Sequence, residues 1–142
     1  MPSYCEFSDL QSRLTVAGLE WAANRDGGDD LTSAEVTRYV TPAILRADSE
    51  IDAAIQLYYE TTGARGHAWL KYIAVDLASV EAITNGGRQA PDNFVADAKR
   101  ARDTLALVAN GKQRIPGLAR RIPMLTAILP TPNITIVDLQ CA

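Results

Sequence analysis

The chain has 142 residues, of which 47% are hydrophobic and 22% charged, and its net charge is −3. That is enough sequence for one domain whose core needs neither disulfides nor a metal. No run of about 18 apolar residues exists to span a membrane, and MPSYCEFSDL has acids where a signal peptide needs a basic start, so export by that route is not expected.

In chain order, Ser8 and Gln11 fit a capping box that opens a short helix with Leu10 and Leu14 on its inner face. Gly18 is expected to break that helix before a second segment bearing Leu19, Trp21 and Ala22. NRDGGDD, residues 24–30, reads as a loop. Aligned to a calcium loop, Asn24, Asp26, Gly28 and Glu35 take positions one, three, five and twelve. Asp29 replaces the glycine of the sharp turn and Gly28 offers no side-chain ligand, so an acidic helix linker is the better reading and no metal is expected.

Thr32 and Glu35 repeat the capping-box signature and start the longest helix. Val36, Val40, Ile44, Ala47, Ile51, Ala54 and Tyr58 recur at steps of three and four, which keeps them on one face. Pro42 interrupts that run and predicts a kink or a restart with Thr41 as cap. Thr61 to Gly66 reads as a turn. A third helix then carries Trp69, Leu70, Ile73, Leu77, Val80 and Ile83 to a stop at Gly86-Gly87. Pro91 suits the first turn of a fourth, whose stripe is Phe94, Ala98, Ala101, Leu105 and Val108, with Gly111 just past its end.

Beyond Lys112 the pattern changes. Pro116, Pro123, Pro130 and Pro132 leave no room for a useful helix. Yet Ile115, Leu118, Ile122, Leu125, Ile128, Leu129, Ile134, Ile136, Val137 and Leu139 make the segment too apolar for a solvated tail. Residues 133–139 form a strand candidate that needs an edge to pair with. The expected fold is all-α: a small antiparallel bundle of about four helices over residues 1–112, then an extended arm over 113–142 that offers a β-strand to a partner. This arm is expected to lie on another chain rather than on its own bundle.

Charge is unevenly placed. Residues 1–83 hold 13 acids and 6 bases, whereas residues 84–142 hold 4 acids and 8 bases. Lys99, Arg100, Arg102, Lys112, Arg114, Arg120 and Arg121 face a single acid, Asp103, within the basic stretch. Such a block serves as a solvated face, as a contact for an acidic neighbour, or as a DNA-binding surface. Catalytic chemistry has little support. His67 is the one histidine and sits at a helix start, no serine or cysteine has a recognisable base partner, and nucleotide-binding glycine motifs are lacking. Asp76, inside YIAVDLASV, is either a buried specificity residue or the exposed edge of its helix. Cys5 and Cys141 read as free thiols.

Several segments occur together in a telling order: Asp9-Leu10, the acidic NRDGGDD loop, Ala47-Asp48-Ser49-Glu50-Ile51-Asp52 followed by Tyr58-Tyr59, LKYIAVDLA at 70–78 and LALVANGK at 105–112. In these the chain resembles the Mu-like phage head–tail connector (adaptor) family, small helical proteins that ring the portal vertex of a tailed-phage head. It departs from that family in having Tyr58-Tyr59 where an Arg-Tyr pair followed by proline is more usual, and in its longer arm. The resemblance implies a structural protein without catalysis or cofactor, located in the virion neck after assembly in the host cytoplasm. It implies a closed ring, typically of twelve subunits, whose partners are sibling subunits, the portal protein and the next neck or tail-completion protein. Genomic DNA would pass through that ring without sequence-specific binding. On this reading Arg114, Ile115, Leu118, Arg120, Arg121, Ile122, Leu125, Ile128, Leu129, Ile134, Ile136 and Leu139 form the partner interface. The rival readings are a small helical DNA-binding protein using the basic 99–121 stretch and a small enzyme whose site is assembled by the fold.

Overall fold

A stripe of apolar side chains on one long helical run organises the bundle. The computed structural model describes residues 2–24 and 30–121. Among them lie helices α1 (Phe7–Leu14), α2 (Val16–Ala23), α3 (Ser33–Glu35), α4 (Thr41–Ile55), α5 (Thr61–Ala64), α6 (Ala68–Asn85) and α7 (Asp92–Ala109), with a π-helical turn, Val36–Val40, joining α3 to α4. No strand occurs among the described residues, and the fold is an all-α helical bundle. The core forms where α4, α6 and α7 pack on one another, and α1 and α2 close it against α6.

The run from Ser33 to Ile55 begins as expected. Thr32 Oγ1 accepts from the Glu35 amide at 3.2 Å, and the Glu35 carboxylate accepts from the Thr32 amide at 2.9 Å. Pro42 sits in the first turn of α4, which restarts the regular helix there, but Thr41 is not its cap, because Thr41 is itself helical. The π-turn absorbs the proline instead: the Thr41 amide donates to the Val36 carbonyl, five residues back. Asn85 Nδ2 on α6 donates to the carbonyl of Tyr39 at 3.1 Å. The buried stripe then runs Val40, Ile44, Ala47, Ile51, Ile55 and Tyr59. Its end differs from the predicted Ala54 and Tyr58, which are only half-buried, because the regular helix stops at Ile55.

Two boundaries near the N-terminus also differ. Helix α1 starts at Phe7, with Asp9 accepting from the Glu6 amide at 2.8 Å, so the capping box belongs to Glu6 and Asp9 rather than to Ser8 and Gln11. The break falls at Thr15, not Gly18: Thr15 takes φ 65° and its hydroxyl accepts from the Gly18 amide at 3.2 Å, which starts α2. Gly86 does more than end α6. A Cβ there would lie 1.7 Å from the Ala22 carbonyl oxygen, so only glycine lets α2 approach so closely.

Polar contacts tie the helices at two places. The Arg65 guanidinium, buried beneath Tyr4, bonds Asp48 at 3.3 Å and also pairs with Asp52. Asp48 accepts from the Tyr4 amide at 3.0 Å and Asp52 from the Tyr4 hydroxyl at 2.7 Å, which staples the N-terminal segment to α4. On the outer surface Arg102 of α7 binds Glu50 of α4 at 3.0 Å and Glu81 of α6 at 3.5 Å, while Arg46 reaches Glu81 at 3.3 Å. Ile51 is fully buried and Leu45 is 56% exposed on the same helix. Ile51→Ala should therefore cost about 2–5 kcal/mol in urea unfolding, whereas Leu45→Ala should stay within about 0.5 kcal/mol; equal costs would reject this packing.

Candidate assembly interface

The chain leaves α7 through a tight turn and immediately docks on the end of α4. Gly111 takes φ 71°, and a Cβ there would sit 2.9 Å from the Tyr58 hydroxyl, so the turn requires glycine on both counts. Ile115 then inserts into the core, 2% exposed. The hydroxyl of the fully buried Tyr59 accepts from the Ile115 amide at 3.0 Å and from Arg120 Nε at 3.4 Å. Arg120 also donates to the carbonyls of Gly111 at 3.1 Å and Gln113 at 3.4 Å, and its guanidinium stacks 5.1 Å from the centre of the Tyr58 ring. The Arg121 amide donates to the Tyr58 carbonyl at 2.6 Å, and its side chain pairs with Glu60. The tyrosine pair thus clasps residues 111–121 and fixes where the following chain departs.

A second feature lies across α1, α6 and α7. Trp69, Tyr72, Asp76, Asp97, Arg100 and Thr104 line a cavity of about 190 Å³, and Tyr72 also borders a neighbouring cavity of about 260 Å³ beside Asp9, Arg13 and Lys71. The Tyr72 ring stands between the two, 73% exposed. Charges along this groove are matched. Arg13 meets Asp97 at 2.5 Å and Asp76 at 3.6 Å, Arg100 pairs with Asp97, and Lys71 binds Asp9 at 2.7 Å. Burial raises the Asp76 pKa above the usual carboxylate range; nearby Arg13 opposes that shift and Asp97 adds to it. Burial works against the Asp9 carboxylate as well, but the hydrogen bonds from Lys71 and the Glu6 amide outweigh it and hold its pKa low.

Residues 4–122 match the protein family described as Bacteriophage Mu, Gp36. The chain belongs to that family. No curated protein matches it. Membership makes this a phage protein and supports a structural or morphogenetic role. The match also reaches past Lys112, so in this Gp36-family chain the clasped segment is part of the shared unit.

The expected interface residues now divide into three groups. Ile115 and Leu118 pack on their own bundle, Ile115 fully, contrary to the expectation that the arm avoids it. The cause is Tyr59, whose buried hydroxyl needs partners that the arm supplies. Arg120 and Arg121 are likewise held by their own chain, whereas Arg114 is exposed. Ile122, Leu125, Ile128, Leu129, Ile134, Ile136, Leu139 and the predicted strand at 133–139 lie outside the described residues. In the basic stretch, Arg100 and Arg102 also have acidic partners; Lys99, Lys112 and Arg114 have none among the described residues. Sequence reading did not find the clasp, although Tyr58-Tyr59 just past the end of α4 was its signal. Tyr72 left no periodic signal because it faces away from the core.

His67 caps the start of α6, and its Nδ1 is buried without a hydrogen-bond partner among the described residues. The middle of the acidic loop, Arg25 to Asp29, lies outside the described residues, and no metal-holding group of His, Cys, Asp and Glu occurs among those described. The Cys5 thiol is buried and its pKa is pushed up to about 12, which leaves it unreactive. Asp76 is the half-buried edge of α6.

Two outcomes follow from this geometry. Tyr59→Phe strands the buried Ile115 amide and should cost about 1–3 kcal/mol in urea unfolding; an unchanged midpoint would show that the clasp contributes nothing. Because the Asp76 pKa is raised in the folded state, its ionisation weakens the fold as pH rises from the ordinary carboxylate value toward the raised one. Asp76→Asn should thus gain stability relative to the parent as pH rises above about 4, and a gain independent of pH would contradict the assigned shift.

Proposed function

We propose that this chain is a head–tail connector (adaptor) protein, a structural and non-catalytic component of a tailed-phage neck. Its subunits form a ring between the portal and the tail, and the C-terminal arm makes the contact with a neighbouring protein. The observation that carries this reading is the clasp. It anchors the arm's root through Tyr59, Ile115 and Arg120, so the apolar segment from Ile122 onward starts from a defined point on each subunit. Family membership over residues 4–122 supports a phage particle as the setting. No described helix is long and apolar enough to cross a membrane, which agrees with this setting.

The DNA-binding alternative gains little from the basic stretch. Four of its seven bases, Arg100, Arg102, Arg120 and Arg121, are engaged by acids, a tyrosine hydroxyl or carbonyls of the same chain. Ion pairs already made must be broken before those side chains can meet phosphates, which lowers the net gain from counterion release.

Deletion separates the two parts of the arm. Removing residues 122–142 should leave the unfolding free energy within about 0.5 kcal/mol of the full chain while abolishing incorporation into particles. Removing residues 113–142 also takes away Ile115 and the partners of Tyr59, and should cost about 2–5 kcal/mol. Circular dichroism melts and immunoblots of purified particles read both effects. Normal incorporation of the shorter deletion would overturn the proposed role of the arm.

A further inference from the structure

We propose that the groove around Tyr72 is the receptor for the proline-containing arm of a second copy of this chain, with Trp69 and Tyr72 packing against the Leu129-Pro130-Thr131-Pro132 stretch. This inference rests on the ring proposed above and names the surface that completes it.

The groove has the chemistry that extended proline segments need. Such segments lack internal hydrogen bonds and are recognised by exposed aromatic faces with polar groups alongside. Tyr72 is 73% exposed, Trp69 lies beside it in the groove, and Ile73 and Ala101 supply a buried apolar floor. A tyrosine so exposed gains little for the isolated fold. The Tyr72 hydroxyl has no hydrogen-bond partner among the described residues. The Arg100 side chain, 77% exposed, carries more N–H donors than its pairing with Asp97 uses, and these can meet carbonyls of an extended segment.

The arm fits this groove in charge and in reach. Residues 122–142 contain one charged side chain, Asp138, and the groove's own charges are already paired with one another. An uncharged segment can therefore lie there without stranding a charge. From its fixed exit at Arg121, a 21-residue segment reaches roughly 65–70 Å if extended, whereas 18-residue α6 is only about 27 Å long. The arm is long enough to cross to a neighbour. A ring requires a donor and an acceptor patch at different places on one subunit. The clasped arm is the donor, and the groove is the aromatic acceptor.

The test uses full-length chain assembled into particles, with a photo-crosslinking phenylalanine analogue at Tyr72 or, in a second variant, at Arg100. Both side chains are exposed, so neither replacement disturbs the core. Light and heavy isotope-labelled chains are mixed before assembly, and cross-linked peptides are read by mass spectrometry. The expected result is a link from position 72 or 100 to residues 122–142 of the other isotopic form. Tyr72→Ala should also lower incorporation at least about tenfold without changing the melting temperature. Links to the arm of the same chain, to another protein or to another part of the neighbour, or no link at either position, overturn the inference. Cryo-microscopy of unmodified particles reads the ring separately. A ring with the cross-link elsewhere removes the groove assignment alone, whereas particles without such a ring remove both.

Discussion

Burial of one helical stripe, from Val40 through Ile51 to Tyr59, is the constraint from which the other contacts follow. Once that face points inward, the remaining positions of α4 are committed. Asp48 and Asp52 are presented to Arg65 and Tyr4, and Glu50 is presented to Arg102. Tyr59, at the end of the stripe, brings a hydroxyl into the interior, where it must find hydrogen-bond partners. It finds them in the Ile115 amide and Arg120, so the path of the arm's first residues is a consequence of core packing.

The helical register of the long elements was legible because burial there follows the 3.6-residue period. Ile51, Leu70, Leu77, Leu105 and Val108 all lie in the core, and Gly111 ends α7 as the pattern requires. What the sequence hid are places where a side chain substitutes for a local rule. Thr15 takes a positive φ that a β-branched residue rarely adopts, and its hydroxyl cap compensates. Pro42 is absorbed by a wider turn, which no residue pattern announces. The docking of Ile115 was hidden because a single buried isoleucine just before Pro116 has no period to reveal it.

The same distinction explains the candidate site. An arm rich in isoleucine and leucine calls by composition for a surface to cover it, but composition cannot tell which residues meet their own chain. The clasp divides them: Ile115, Leu118, Arg120 and Arg121 serve the subunit. The basic stretch is reinterpreted in the same way, since Arg102 fastens three helices and Arg120 closes the clasp. Groove residues such as Tyr72 and Arg100 were invisible to sequence patterns because exposed side chains carry no periodic constraint.

Hydrogen exchange followed residue by residue, in the free subunit and in the assembled particle, bears most directly on the claim that the arm is rooted in its own bundle and recruited by a neighbour. The account predicts that the Ile115 amide is protected in both states and that residues 125–139 gain protection only on assembly. Equal protection of residues 125–139 in the free subunit, or rapid exchange there within the particle, would contradict it.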